Sequence, residues 1–251
     1  MRGLLLLLFC AGPAVALDVT EWQPHPGAAL PGTGVFRDEA GREVTLRAAL
    51  GEGVPVVLDL GYFHCTSLCG LVRADLVSAL AASGLVAGQD YRLVVMSIDP
   101  ADTPADAGVA KAADLREAGV ANDDAWRYLT GPAPAVAAVA DAVGFQFRYD
   151  PEAKQFTHPA GLVVLTGDGR VGSYLGGVGY TGARLRRAVE EAGQGGIEPA
   201  SFPVRLLCHF DVVTGRYTLA LTKVLRWMAV LTVLTLGGTL WALHRTGPRR
   251  P

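Results

Sequence analysis

Cysteine is scarce in this chain: four in 251 residues, at positions 10, 65, 69 and 208. Positive charge is not in surplus either, since 22 Lys and Arg face 24 Asp and Glu for a formal net charge of -2. That balance excludes the broad basic surface on which nucleic-acid binding rests. No internal repeat is present, and no C-x-x-C, the usual spacing of a redox dithiol.

Apolar residues, by contrast, are plentiful, at half of the chain, and two end segments hold many of them. The first opens Met1-Arg2-Gly3, continues as Leu4 to Leu8 and closes on Ala14-Val15-Ala16. A basic start, a short apolar stretch and an A-x-A site describe a secretory signal peptide over 1–16. Phe9 stands where a lipoprotein signal wants a small residue, so Cys10 is expected to leave with the leader.

The second runs from Trp227 to Leu243, flanked by Arg226 and by His244-Arg245. At 1.5 Å per residue it reaches roughly 25 Å, the short end of a transmembrane helix; a buried core helix is the alternative. Trp227 and Trp241 fall where interfacial aromatics belong, and Arg245, Arg249 and Arg250 mark a basic tail over 244–251 that stays cytoplasmic. The expectation is a single-pass protein of the inner (cytoplasmic) membrane with its main domain in the periplasm. Three cysteines then remain, and a pair plus an odd thiol is no structural disulfide framework.

Between the ends, 17–34 reads as an irregular lead-in rich in proline and glycine. Val35-Phe36 and Val44-Thr45-Leu46 flank a turn and read as a hairpin. Val54–Leu60 and Tyr91–Ile98 are short apolar runs suited to buried strands. A helix is expected from the Cys65–Cys69 segment to about Ala82, with Leu68, Leu71, Leu76 and Leu80 on one face. Thr103-Pro104 opens another helix, by an N-cap followed by proline at the first helical position. Trp126–Leu129, Phe145–Tyr149, Leu162–Thr166 and Val171–Leu175 read as strands; Ala133–Val143 and Thr181–Ala192 read as helices. Strands alternating with helices, then a hairpin and a helix, predict a three-layer α/β domain over 35–192, in an order that suits a thioredoxin-like fold. Residues 193–226 read as a linker and juxtamembrane segment.

Cys65 and Cys69 lie at or in the first turn of a helix that follows a buried strand. At i and i+4 their Cβ atoms would be about 5–6 Å apart, and a helix N-terminus favours the thiolate. Two thiolates with an imidazole suit Cu(I), with Zn(II) as competitor; a three-ligand site lacks the fourth donor of structural zinc. The imidazole is assigned to His158, in Phe156-Thr157-His158-Pro159 just before a strand that should lie beside the cysteine helix. A satisfied surface histidine is the alternative there. For the pair, a structural disulfide and a metal-free redox dithiol stay open. His64 adjoins Cys65 and is expected to point away, and His25 and His244 to face solvent. Cys208-His209 is a candidate second metal station, against a buried cysteine beside an incidental histidine.

Three motifs carry a resemblance over roughly 33–192: Asp59-Leu60-Gly61-Tyr62-Phe63-His64-Cys65-Thr66-Ser67-Leu68-Cys69, Met96-Ser97-Ile98-Asp99-Pro100-Ala101-Asp102-Thr103-Pro104, and His158. In these the chain resembles the Sco/SenC family of copper chaperones for cytochrome c oxidase. The resemblance implies a thioredoxin-like fold, copper held by Cys65, Cys69 and His158, and delivery to the Cu(A) centre of oxidase subunit II. Asp99-Pro100 is read as structural, without a ligand role. Thr66 and Gly70 stand where many relatives carry proline, and Thr157 where a carboxylate often precedes the histidine. With its anchor at the C-terminal end, the chain is similar to a bacterial side branch. Two rival activities remain: a thiol-disulfide oxidoreductase in which Cys65 attacks and Cys69 resolves, and a peroxiredoxin-like peroxidase. The second is disfavoured because that chemistry needs no C-x-x-x-C pair.

Overall fold

The computed structural model describes residues 22–65, 68–120, 124–199, 208–211, 216–219 and 221–246. The predicted leader lies outside the described residues, as does the end of the tail.

Phe36 is the buried member of strand β1 (Val35–Arg37), which pairs antiparallel with β2 (Glu43–Thr45). The turn between them is closed by the Asp38 carboxylate, which accepts the backbone N–H groups of Ala40 and Arg42. Helix α1 (Leu46–Leu50) follows directly, capped by the Thr45 hydroxyl. Strand β3 (Val56–Gly61) is buried at all six positions, as a central strand of an α/β sheet must be. It leads through a loop into α2 (Leu68–Ser83).

Next come β4 (Arg92–Ser97), α3 (Pro104–Ala118), β5 (Trp126–Leu129) and α4 (Ala133–Val143). Thr103 and Asp106 close a capping box at the start of α3, and Gly119 ends it in the left-handed conformation, as the sequence signals predict. Strands β6 (Arg148–Asp150), β7 (Gln155–Thr157), β8 (Gly161–Leu165) and β9 (Val171–Gly176) precede α5 (Gly182–Gly193).

The main sheet runs β5-β4-β3-β8-β9. The first three strands are parallel, β8 is antiparallel to β3, and β9 is antiparallel to β8. One face packs on α2, α3 and α5 through Val57, Leu93, Leu76, Leu80, Ala107 and Leu185. The other packs on α1 and α4 through Leu58, Val94, Leu46, Val136 and Phe145. This is the three-layer, thioredoxin-like arrangement expected of the pattern.

Several elements differ from the sequence reading. Helix α2 begins at Leu68, within the segment expected to lead into it, with Cys65 in the loop and Cys69 in the first turn. Its buried stripe is Val72, Leu76, Val77 and Leu80, whereas Leu71 is half exposed. Five residues separate Leu71 from Leu76, which places them about 140° apart around a helix of 3.6 residues per turn. The strand expected at Phe145–Tyr149 is displaced to β6, which pairs with β7 outside the main sheet. Phe145 is drawn into the α4 side of the core, and Asp150 turns the chain by accepting the N–H groups of Glu152 and Ala153.

Among its described residues the lead-in has no regular element but is strapped along β9, with Gly27 N–H on Val171 O at 2.7 Å and Val171 N–H on Ala28 O at 2.9 Å. Within the predicted linker, β10 (Cys208–Asp211) pairs antiparallel with β11 (Arg216–Leu219).

Helix α6 (Leu221–Thr246) covers the predicted span, and Trp227, Leu231, Leu234 and Trp241 are all exposed along it. Among the described residues no helix is long and apolar enough to cross a membrane.

Candidate metal centre

The parallel strands β3, β4 and β5 end along one edge of the sheet, and the loop Tyr62–Cys65 leaves the central strand there. Each of its residues is held by a different part of the fold. The Tyr62 ring makes edge contacts with Phe156 at 5.6 Å and with His158 at 6.1 Å. The Phe63 ring stacks on Tyr128. His64 Nδ1 lies 2.5 Å from Asp102 Oδ1, and its Nε2 lies 3.3 Å from Asp106 Oδ1. Cys65 is half-buried and packs against the apolar cluster that contains Tyr62 and Phe145. Cys69 enters the first turn of α2; its side chain falls outside the described set.

His158 occupies the short link between β7 and β8. Its ring is tilted against Phe145 at 5.4 Å and meets the Tyr62 ring edge-on. The structure therefore brings His158 to the cysteine loop through Tyr62, three residues ahead of Cys65. Burial holds its imidazole below the ordinary histidine range, against the opposing effect of the Pro159 carbonyl, so the ring is neutral at pH 7. Nδ1 lies 2.9 Å from that carbonyl oxygen. A carbonyl only accepts, so Nδ1 carries the proton and Nε2 presents the lone pair. A ligating histidine held through its other nitrogen is the usual outer-shell arrangement at a metal.

The link is braced from the far side. Trp22 donates from Nε1 to Ala160 O at 3.2 Å, and the following residue, Gly161, has φ 143°. A Cβ at Gly161 would stand 2.8 Å from Leu175 O and 2.9 Å from the Gly176 Cα, closer than real Cβ atoms approach backbone. Only glycine lets β8 start this close to β9. At Gly70, by contrast, a Cβ would meet nothing within 4 Å, so crowding does not explain the absence of the proline that many relatives carry.

A second polar group lies under the site, on the α2/α3/α5 side. Asp59 of β3 is buried, and burial pushes its carboxyl up to about 7, with Arg73 opposing and Asp114 adding to the shift. Arg73 Nε lies 2.8 Å from Asp114 Oδ2, which also accepts the Tyr128 hydroxyl at 2.6 Å.

Residues that sequence reasoning passed over are Tyr62, Phe145, Trp22 and Asp102. The aromatics carry no signal beyond apolarity, because their role is set by which segments the fold brings together. Asp102 stood inside a quoted motif, but nothing local distinguished it from Asp99, which caps its own turn by accepting Ala101 N–H. His64 does turn away from the metal centre, toward the two carboxylates, and the hydrogen bond to Asp102 holds it above its ordinary range. His25 bonds to Asp141 O at 3.1 Å, and His244 has its side chain outside the described set. Cys208 and His209 lie in β10 opposite Leu219 and Thr218; their side chains, too, fall outside that set.

Among curated proteins, none matches this chain. Solved structures do. A crystal structure of an Aquifex aeolicus VF5 protein is 25% identical, covers 68% of this chain and 96% of its own, and superposes with a TM-score of 0.59. Arabidopsis thaliana ScoI with copper bound is similar at 18% identity, covering 66% and 99%, with a TM-score of 0.54. BsSco, described as a member of the Sco family of cytochrome c oxidase assembly proteins in which a disulfide switch was identified, is similar at 20% identity, covering 68% and 97%, with a TM-score of 0.50. The sequence pattern of SCO1/SenC matches residues 27–192, the whole of the three-layer domain with its strap, and the chain belongs to the SCO1/SenC family.

Proposed function

We propose that this chain is a membrane-tethered copper chaperone whose domain faces the periplasm and which hands copper to the Cu(A) site of a cytochrome c oxidase. Cys65 and Cys69 supply thiolates and His158 supplies Nε2. The observation that carries this reading is the state of His158: neutral, fixed through Nδ1, and packed against the loop that bears Cys65. Two thiolates and one imidazole form a soft set that suits Cu(I) and leaves it open to invasion by a partner's ligands. The copper-bound Arabidopsis relative and the oxidase-assembly role of BsSco support the cargo and the client. Membrane tethering is inferred from the sequence of 227–243 and from the exposed apolar side chains of α6, a helix whose described residues by themselves do not reach the length and apolarity of a span.

The test is metal stoichiometry on the reduced full-length chain, with X-ray absorption to count ligands. One copper with two sulfurs and one nitrogen is expected, and an oxidised chain that takes up none. A reduced chain that binds no copper overturns the reading.

A thiol-disulfide oxidoreductase acting through Cys65 and Cys69 is the second reading. It is favoured by the placement of Cys69 in the first turn of α2, where the helix dipole promotes thiolate. His158→Ala separates the two. The chaperone loses copper affinity by more than about a hundredfold, beyond the range of outer-shell changes, whereas a dithiol reductase keeps its disulfide turnover.

A further inference from the structure

The cysteine loop is gripped from the side opposite His158. Asp102 lies in the turn between β4 and α3, and its side chain is fully buried. Its Oδ2 accepts the Phe63 backbone N–H at 2.6 Å and the Ser97 hydroxyl at 2.6 Å. Its Oδ1 takes His64 Nδ1 at 2.5 Å, and Asp106 faces the other imidazole nitrogen at 3.3 Å. One carboxylate thus holds the two residues immediately before Cys65, while Ser97 ties it to the end of β4. The bond that closes the turn itself, Cys65 N–H to Tyr62 O, is 3.4 Å, at the long end of the range. The Asp102 grip on Phe63 and His64 adds to this bond in holding the turn.

The ligand atoms of His64, Asp102 and Asp106 lie within 4.8 Å of one another. In this structure the three are joined to one another by hydrogen bonds and ion pairs, and so act on the loop as a clamp.

We propose that Asp102, working through Phe63 and His64 with Asp106 behind them, is a positioning residue that sets where the Cys65 sulfur meets copper and His158. This rests on the copper reading above. A carboxylate accepts at both oxygens, whereas asparagine accepts at one, so Asp102→Asn keeps the shape but removes the charge and one acceptor from the grip on the Phe63 amide, the Ser97 hydroxyl and the imidazole.

Three readouts on the full-length chain test the clamp: copper affinity by competition with a chromophoric chelator, the sulfur-to-copper charge-transfer band, and the alkylation rate of Cys65 in a metal-free Cys69→Ser background. Asp102→Asn is expected to weaken copper binding by about 10–100-fold, as outer-shell changes do, to shift the band, and to speed alkylation. His64→Leu follows with a smaller effect, and His64→Gln, which keeps an N–H donor, restores most of it. An Asp102→Asn chain that melts like the parent and shows unchanged affinity, band and alkylation overturns the proposal. Should that variant fail to fold, His64→Leu at the surface decides by the same readouts. A parent chain without copper binding refutes the copper reading alone; equal alkylation rates in parent and variant would then overturn the clamp independently.

Discussion

The two faces of the central sheet solve different problems. On the α1/α4 face the core is apolar and aromatic, and His158 is set into it between Phe145 and Tyr62. On the α2/α3/α5 face the same sheet buries charge: Asp59, Asp114 and Arg73 beneath the start of α2, and Lys111 paired with Glu39 at 2.6 Å. An imidazole among rings stays neutral and keeps a lone pair for a metal. Opposite, Arg73 of α2 pairs with Asp114 of α3, which also takes the Tyr128 hydroxyl of β5, and these contacts tie α2 and α3 to the sheet. The contrast teaches that the candidate histidine is seated among rings, while the scaffold on the opposite face is specified by paired charge.

The comparison breaks most visibly at Phe145. Phe145→Ala should cost about 3–5 kcal/mol of stability, as other large-to-alanine core changes do. It should also weaken copper binding by freeing the His158 ring. A chain destabilised to that extent, with unchanged copper affinity in titrations below its melting point, would show that the aromatic face supports the fold alone.

Asp59 sharpens the other side. Burial raises its native carboxyl from the ordinary carboxylate range to about 7, so the folded state holds the proton more tightly than the unfolded chain. The sign follows: this group's effect leaves the protein most stable below pH 4, costs stability as pH rises toward 7, and is constant above that. Asp59→Asn should therefore flatten the fall in stability between pH 4 and pH 7, read from urea midpoints. A slope identical to the parent's would locate the pH dependence elsewhere.

The smallest expected effect belongs to Tyr128→Phe. It removes one hydrogen bond to the Asp114 carboxylate and should cost about 1.5–3 kcal/mol, the range for bonds to charged groups. Arg73 stays paired, so copper affinity should not move. A loss of affinity as large as that of Phe145→Ala would mean that the two faces are not separate in function.

Much of the architecture was legible because its signals are local. The fully buried run of β3, the Thr103-Pro104 start of α3 and the glycine stops of α2 and α3 are read from a few neighbouring residues. The strand at Phe145–Tyr149 was misplaced because an alternating pattern does not say whether aromatic side chains enter a sheet ladder or plug a core. The hairpin at β10 and β11 was not anticipated within a segment read as a linker.

For the candidate site, sequence alone singled out Cys65, Cys69 and His158 from spacing and residue chemistry, and separated His64 from them. It could not say which nitrogen of His158 keeps the lone pair. That depends on a carbonyl turned onto Nδ1 and on rings contributed by Phe145 and Tyr62, far away in the chain. Nor could it single out Asp102, whose partners Phe63 and His64 lie 39 and 38 residues away. Residue chemistry is intrinsic and travels with the letter. Burial, tautomer and grip are properties of surroundings, and the surroundings exist only once β3, β4 and β8 lie side by side.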